Sequence, residues 1–190
     1  MRELHYETSK SAIISDCKRY RYLLTRTWDA EGPVLVYVML NPSRADAAIN
    51  DPTVLKCIAI AKSNGYGGIR VLNLFALRAT DHRWLGESAD PVGPDNDRHL
   101  AEQTAGMAVV CAWGSRKKFA SPRMLDRPEI VLRILEKAAT SISCLRLNGN
   151  DPGHPLYLPG DTKLIPYREV CHAERARTDH AELRAAKGGA

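Results

Sequence analysis

Four short, continuous apolar runs recur along the chain, each shut off by a polar or glycine-rich cluster. They occupy residues 34–40 (VLVYVML), 69–74 (IRVLNL), 108–112 (AVVCA) and 143–147 (SCLRL). Runs of this length without polar alternation are what strands buried on both faces require. Helical signals fill the gaps. Asp51-Pro52-Thr53 has the form of a helix start, with Asp51 as N-cap and Pro52 at the first helical position. That helix runs through Val54, Leu55, Ile58 and Ala61 to about Asn64, where Gly65-Tyr66-Gly67-Gly68 ends it. A strand, a helix and a strand within about 40 residues is a βαβ unit, which implies a parallel pair with a right-handed crossover.

The remaining pattern extends this alternation. Residues 20–28 (YRYLLTRTW) read as a strand, placed at a sheet edge by their arginines. Residues 79–96 read as a long Asp-, Pro- and Gly-rich loop, and 95–106 as a polar helix. Residues 128–139 form a second amphipathic helix with Ile130, Val131, Ile134, Leu135 and Ala138 on one face. The fold class expected is α/β, a three-layer α/β/α sandwich with a mostly parallel central sheet. Residues 1–160 form a single domain, and 161–190 a C-terminal extension, helical with a frayed end.

Composition narrows the class of protein. At 190 residues, 44% hydrophobic and 26% charged, the chain is long enough to bury a core without metals or disulfide staples. No apolar run approaches the roughly 18 residues of a membrane span, and no signal-peptide stretch follows the N-terminus. A soluble, cytoplasmic protein with no membrane partner is expected. The five cysteines at 17, 57, 111, 144 and 171 then read as reduced thiols. The formal charge of +5 divides unevenly: residues 1–28 carry net +3, 84–107 net −4 and 116–133 net +4. A solvated mixed surface and a polarised binding surface both fit that division.

Ligands of open α/β sheets bind beyond the carboxyl ends of the strands, so the residues at those ends are the candidates. The four apolar runs deliver Asn41-Pro42-Ser43, Asn73, Trp113-Gly114 and Gly153-His154-Pro155 to one rim. Each has two readings. Asn41, Pro42 and Ser43 are turn chemistry or a ligand-binding loop. Asn73, an amide inside an apolar strand, is a satisfied core residue or a ligand reader. Trp113 is core or a stacking platform, and His154 is an inert loop imidazole or a proton donor. No Walker A, GxGxxG or HExxH motif occurs, and Cys171, His172 and His180 lack zinc spacing, so neither cofactor nor metal is expected. The oligomeric state is open.

The order of these segments resembles the uracil-DNA glycosylase superfamily. LNPS (40–43) resembles its water-positioning motif in the version with Asn-Pro, and IRVLNLFALR (69–78) the strand whose Asn reads a base edge. VVCAWGSRKK (109–118) resembles the strand ending in Trp-Gly, and GHPLYLP (153–159) the His-Pro loop with an apolar wedge four residues after the His. The resemblance implies that Asn41 or its carbonyl orients a water, that Asn73 pairs with an extruded base, and that His154 donates to a base oxygen. It also implies that Leu158 and Tyr157 fill the gap in the base stack. Arg116, Lys117 and Lys118, directly after the Trp-Gly turn, are candidates for phosphate contacts. The first motif carries no carboxylate, and Asp46 is the nearest substitute.

A longer match, over about residues 15–160, is to domain-of-unknown-function family 1643. It runs through RYRYLLTR, MLNPSRADA, DPTV, NLFALRAT, DPVGPDND and AWG.

The functional expectation is a nucleobase- or nucleotide-binding protein that hydrolyses an N-glycosidic bond, with nucleic acid or a nucleotide as partner. The alternatives are a non-catalytic nucleic-acid or nucleotide-binding module, and an α/β interaction protein whose polar residues serve turns only. The first requires Asn41, Asn73 and His154 to share one pocket of roughly 300 Å³ or more.

Overall fold

A computed structural model describes residues 9–43, 45, 48–119 and 121–167. The chain opens with an antiparallel pair, β1 (Ser9–Ile14) and β2 (Arg21–Thr27), and continues into β3 (Val34–Met39), α1 (Pro52–Ser63) and β4 (Gly68–Asn73). After a short helix, α2 (Arg83–Glu87), come α3 (Asn96–Thr104), β5 (Ala108–Cys111), α4 (Arg127–Ala138) and β6 (Ser141–Cys144). A two-residue hairpin, β7 (Leu147–Asn148) with β8 (Asp151–Pro152), leads to the last strand, β9 (Ile165–Pro166).

Seven strands form one mixed sheet in the order β1-β2-β4-β3-β5-β6-β9. The four central strands, β4, β3, β5 and β6, are mutually parallel. Antiparallel pairs flank them: β1 with β2, β2 with β4, and β6 with β9. The expected mostly parallel sheet is therefore corrected to one parallel only at its centre. β2 is not at an edge either, because it lies between β1 and β4. Its arginines suggest an edge, yet Arg21 and Arg26 are both buried. Arg26 is fully buried, and its guanidinium donates to Asn50 Oδ1 (2.6 Å) and the carbonyls of Thr25 (2.8 Å) and Ile49 (3.2 Å). A buried charge with its donors satisfied is compatible with an interior strand.

The cap read from sequence is present. Asp51 is extended, and its Oδ1 accepts the Val54 N–H at 2.9 Å, fixing the start of α1. From α1, Val54, Cys57, Ile58, Ile60 and Ala61 are buried against Leu35, Tyr37, Ile69 and Val71 of the sheet. A second cluster joins Val36, Val38, Leu72 and Val109 to Leu100 of α3 and Val131, Leu132 and Leu135 of α4. The apolar face of α4 is rotated from the expected one. Leu132 is buried, whereas Ile130 is 38% exposed.

Residues 161–167, expected to belong to the extension, include β9 and the buried Tyr167, which meets Trp113 edge-to-face. The helix expected over the last residues lies outside the described ones. Among the described residues, no helix is long and apolar enough to cross a membrane, and none of Cys17, Cys57, Cys111 and Cys144 is in a disulfide.

Candidate functional site

The strand order places a switch point at β3. Its chain leaves to one side through α1 into β4, while β5 pairs on its other side. At such a point the connections diverge and leave a crevice beyond the carboxyl ends. A recess of about 160 Å³ opens there. Asn41 and Ser43 line it from the β3 exit, Asn73 from the end of β4, Trp113 from the β5 exit, and His154 from the loop after β8. The three residues required to converge do so. The volume is about half that expected.

Local chemistry holds each wall in place. The Asn41 Nδ2 donates to the carbonyls of Ala79 (2.8 Å) and Pro42 (3.1 Å), while Ala79 N–H donates back to Pro42 (3.0 Å). Half of the Asn41 amide therefore serves the turn, and Pro42 is buried beneath it rather than lining the recess. The end of β4 is pinned from the other face of the sheet. Asn96 Nδ2 donates to the carbonyls of Asn73 and Leu74 (both 3.1 Å), and Arg127 Nε to that of Leu74 (2.8 Å). Arg127 is itself paired with Asp97.

Asn73 is 2% exposed, and its side-chain Oδ1 has no hydrogen-bond partner among the described residues. Trp113 is 1% exposed, and its indole Nε1 is equally without a partner. Buried polar groups left this way cost about 1–3 kcal/mol each. Together they present one acceptor and one donor from residues lining the same recess. Trp113 cannot serve as a stacking platform, because its ring is buried; it is a core residue in the recess wall.

His154 is brought to the rim by the turn at Gly114. That glycine is left-handed (φ +79), and its N–H donates to the Pro152 carbonyl at 3.0 Å. The His154 Nδ1 accepts the Leu156 N–H at 3.3 Å. An imidazole accepting at Nδ1 carries its proton on Nε2 when neutral, so Nε2 is a donor.

The other expected residues lie elsewhere. Leu158 is 7% exposed and packs in the core on the α1 side, so it is no wedge; Tyr157 beside it is 71% exposed. Arg116 does not line the recess. Its Nε contacts Asp151 Oδ1 at 3.0 Å, its N–H donates to Asp151 Oδ2 at 2.8 Å, and Glu129 lies 3.6 Å from its guanidinium. It ties the β5 exit to the His154 loop. Lys117 is exposed and also away from the recess. Asp46 and the Lys118 side chain lie outside the described residues.

The recess has further walls that were not expected. Asp51, read as a cap only, brings a half-buried carboxylate to it, and Thr53, Arg21 and His82 also line it. Arg21 is 3% exposed, with Nη1 donating to the Ala45 carbonyl at 2.6 Å. The signal for Asp51 was its place at the N-terminus of the crossover helix, which in a βαβ unit faces the strand ends. No group of three or more His, Cys, Asp or Glu able to hold a metal ion occurs among the described residues.

A model of a protein family of unknown function, DUF1643, matches residues 21–156. The chain belongs to this family. No curated protein and no solved structure matches it. In this DUF1643 chain the matched span runs from Arg21 on the recess wall to just beyond His154, and so contains every described residue of the site.

Proposed function

We propose that the recess binds the amide edge of a single-ring nucleobase and that the protein hydrolyses the N-glycosidic bond of that base. The observation that carries this reading is the buried, unpartnered Asn73 Oδ1 at the carboxyl end of β4. An Asn amide offers an acceptor and donors side by side, which matches the N–H and carbonyl of a pyrimidine edge. Size limits the ligand, because the recess falls short of the roughly 300 Å³ required above. The 300 Å³ expectation belongs to drug-sized ligands, whereas a cavity of about 150 Å³ accepts a benzene ring. A recess of about 160 Å³ is of a size to take one six-membered ring.

The helices on both faces of the sheet are consistent with the three-layer, glycosylase-like arrangement that the motif order suggests. In the proposed reaction Asp51 takes a proton from a water whose oxygen bonds to the sugar anomeric carbon. The carbon–nitrogen bond breaks, and its electron pair leaves with the base. His154 Nε2–H stabilises the charge that develops on a base oxygen, and the proton that Asp51 took passes through solvent to the departing base, which restores the carboxylate. Asn41 Oδ1, the part of that amide not used by the turn, orients the water.

A second reading, binding without hydrolysis, is favoured by one fact: an Asp51 oxygen already accepts the Val54 N–H. One experiment separates the two. The protein is incubated with uridine and with a uracil-containing oligonucleotide, and both bound and released base are measured. Hydrolysis predicts base release that falls roughly 10²–10³-fold in His154→Ala and roughly 10²–10⁴-fold in Asp51→Asn. Binding alone predicts Asn73-dependent uridine affinity with no release. Absence of both removes the proposal.

A further inference from the structure

The basic segment after β5 does not reach the recess, but another set of cations lines hollows that adjoin it. A surface groove of about 610 Å³ shares Ser43, Ala79 and Thr80 with the recess and continues past Lys18, Arg78 and Trp84. A second depression, of about 510 Å³, shares Lys18, Arg78, Ala79 and Trp84 with that groove and adds Arg19. The three hollows adjoin one another through these shared wall residues, on the side of the recess bounded by Ser43, Ala79 and Thr80.

The chemistry of the groove is distinctive. Lys18 and Arg19, in the turn between β1 and β2, are brought to Arg78, just beyond β4, by paired backbones. Arg78 N–H donates to the Arg19 carbonyl at 2.9 Å, and Arg78 Nη1 to the Lys18 carbonyl at 3.3 Å. Lys18 is the one described non-glycine residue with positive φ (+60). Such a conformation is uncommon for a lysine. Trp84, on α2, is 65% exposed and lines the same groove. The carboxylates there are Asp81, bonded to Arg83 at 2.5 Å, and Glu87. With Asp81 matched by Arg83, three cations face one remaining acid.

We propose that this groove is the entry path for single-stranded nucleic acid, with Trp84 stacking on an unpaired base and Lys18, Arg19 and Arg78 holding phosphates as the neighbouring base occupies the recess. The proposal rests on the reading of the recess as a base site and names its substrate as a strand rather than a free nucleoside. A cationic groove with an exposed aromatic side chain is the combination that binds single strands without sequence preference. An acidic polypeptide would use the cations but would have no use for the ring.

The test is fluorescence anisotropy with a labelled oligothymidylate across a salt series, with poly-glutamate as competitor. Trp84→Ala is expected to weaken binding roughly 5- to 150-fold, the equivalent of losing one stacked base. Lys18→Ala and Arg19→Ala are each expected to flatten the log–log salt slope by roughly 0.7, and Arg133→Ala, from the other basic segment, to leave it unchanged. All three groove side chains replaced are exposed, and thermal melts confirm folding. An affinity indifferent to Trp84→Ala, a slope indifferent to Lys18→Ala and Arg19→Ala, or equal competition by poly-glutamate overturns the proposal. Uridine binding tracked in parallel separates the two readings. Asn73-dependent uridine binding with no groove effect leaves the recess and removes the groove. The groove effects without any uridine binding do the reverse.

Discussion

Replacing Asn73 with leucine should stabilise the protein while abolishing the proposed binding of a base. The two side chains are close in shape, so little repacking is needed at the end of β4. The Asn73 Oδ1 is buried with no partner among the described residues, and 2% of the residue is exposed. An acceptor left in that state costs about 1–3 kcal/mol, whereas an apolar group of the same shape carries no such penalty. Because Asn73 borders a recess that solvent enters, the lower part of that range applies, about 1–2 kcal/mol. For a chain of this size each kcal/mol moves the melting temperature by about 2–4 °C, so a rise of about 2–8 °C is expected. Urea denaturation checks the free energy through the midpoint at unchanged slope, and calorimetry with uridine checks the binding. A nearby asparagine provides the contrast. Asn96 Nδ2 serves two backbone carbonyls, so Asn96→Ala should destabilise by about 1–3 kcal/mol. If Asn73→Leu lowers stability by more than about 1 kcal/mol, the Asn73 amide is structural, and its role as a reader fails.

Three further outcomes follow from other residues. His99 is 7% exposed and stacked on Tyr22 at 4.8 Å, and burial, then the neighbouring Arg98, hold its pKa below the usual 6.5. The folded state therefore favours neutral His99. Its contribution is full above pH 6.5 and is lost as pH falls from 6.5 through the folded pKa, so His99→Phe should flatten the stability profile between pH 7 and 5. The Cys17 thiol is exposed and has its pKa lowered, chiefly by the Ser15 hydroxyl, while burial raises that of Cys57. In a Cys171→Ser background, Cys17 should react with a disulfide reagent at once, and Cys57, Cys111 and Cys144 only on unfolding. Asp51→Ala should cost about 1 kcal/mol in urea denaturation through the lost cap, whereas Asp51→Asn should cost only a few tenths because an amide oxygen still accepts the Val54 N–H.

What was legible in the sequence depended on whether a residue's local role and its tertiary role agreed. β3, α1 and β4 were legible because continuous apolar runs and an Asp-Pro cap have one meaning. β1 was not, because Ser9–Ile14 is polar at its start and mostly exposed at a sheet edge, which leaves no burial pattern to read. β2 was legible as a strand but not in its position, since Arg21 and Arg26 are charges that only the folded chain can satisfy. Asn41, Asn73, Trp113 and His154 were found because each follows a strand. Asp51 and Arg21 were missed for the opposite reason. A cap and a strand arginine already have sufficient local explanations, and nothing in the linear order signals that they also face the same recess.

Charge distribution shows the same separation between local and tertiary roles, and it bears on which flank of the recess the proposed polyanion would approach. The +4 segment, residues 116–133, looked like the phosphate contact. In the fold its Arg116 is held by Asp151 and Glu129, and its Arg127 by Asp97 from the acidic segment 84–107. Those two opposed segments neutralise one another at this pair, and their arginines work as clasps on the β4 exit and the His154 loop. Lys18 and Arg19 belong to the smaller +3 segment at the start of the chain, and they line hollows that adjoin the recess. Clasped cations fix the shape of the site; those lining the groove would, under the proposal, set the side from which a ligand enters. In the proposed complex a strand that carries its base to Asn73 passes Trp84 and Arg78 first, so salt should weaken that binding through these groove cations while leaving the Arg116–Asp151 clasp, a partly buried pair, largely intact.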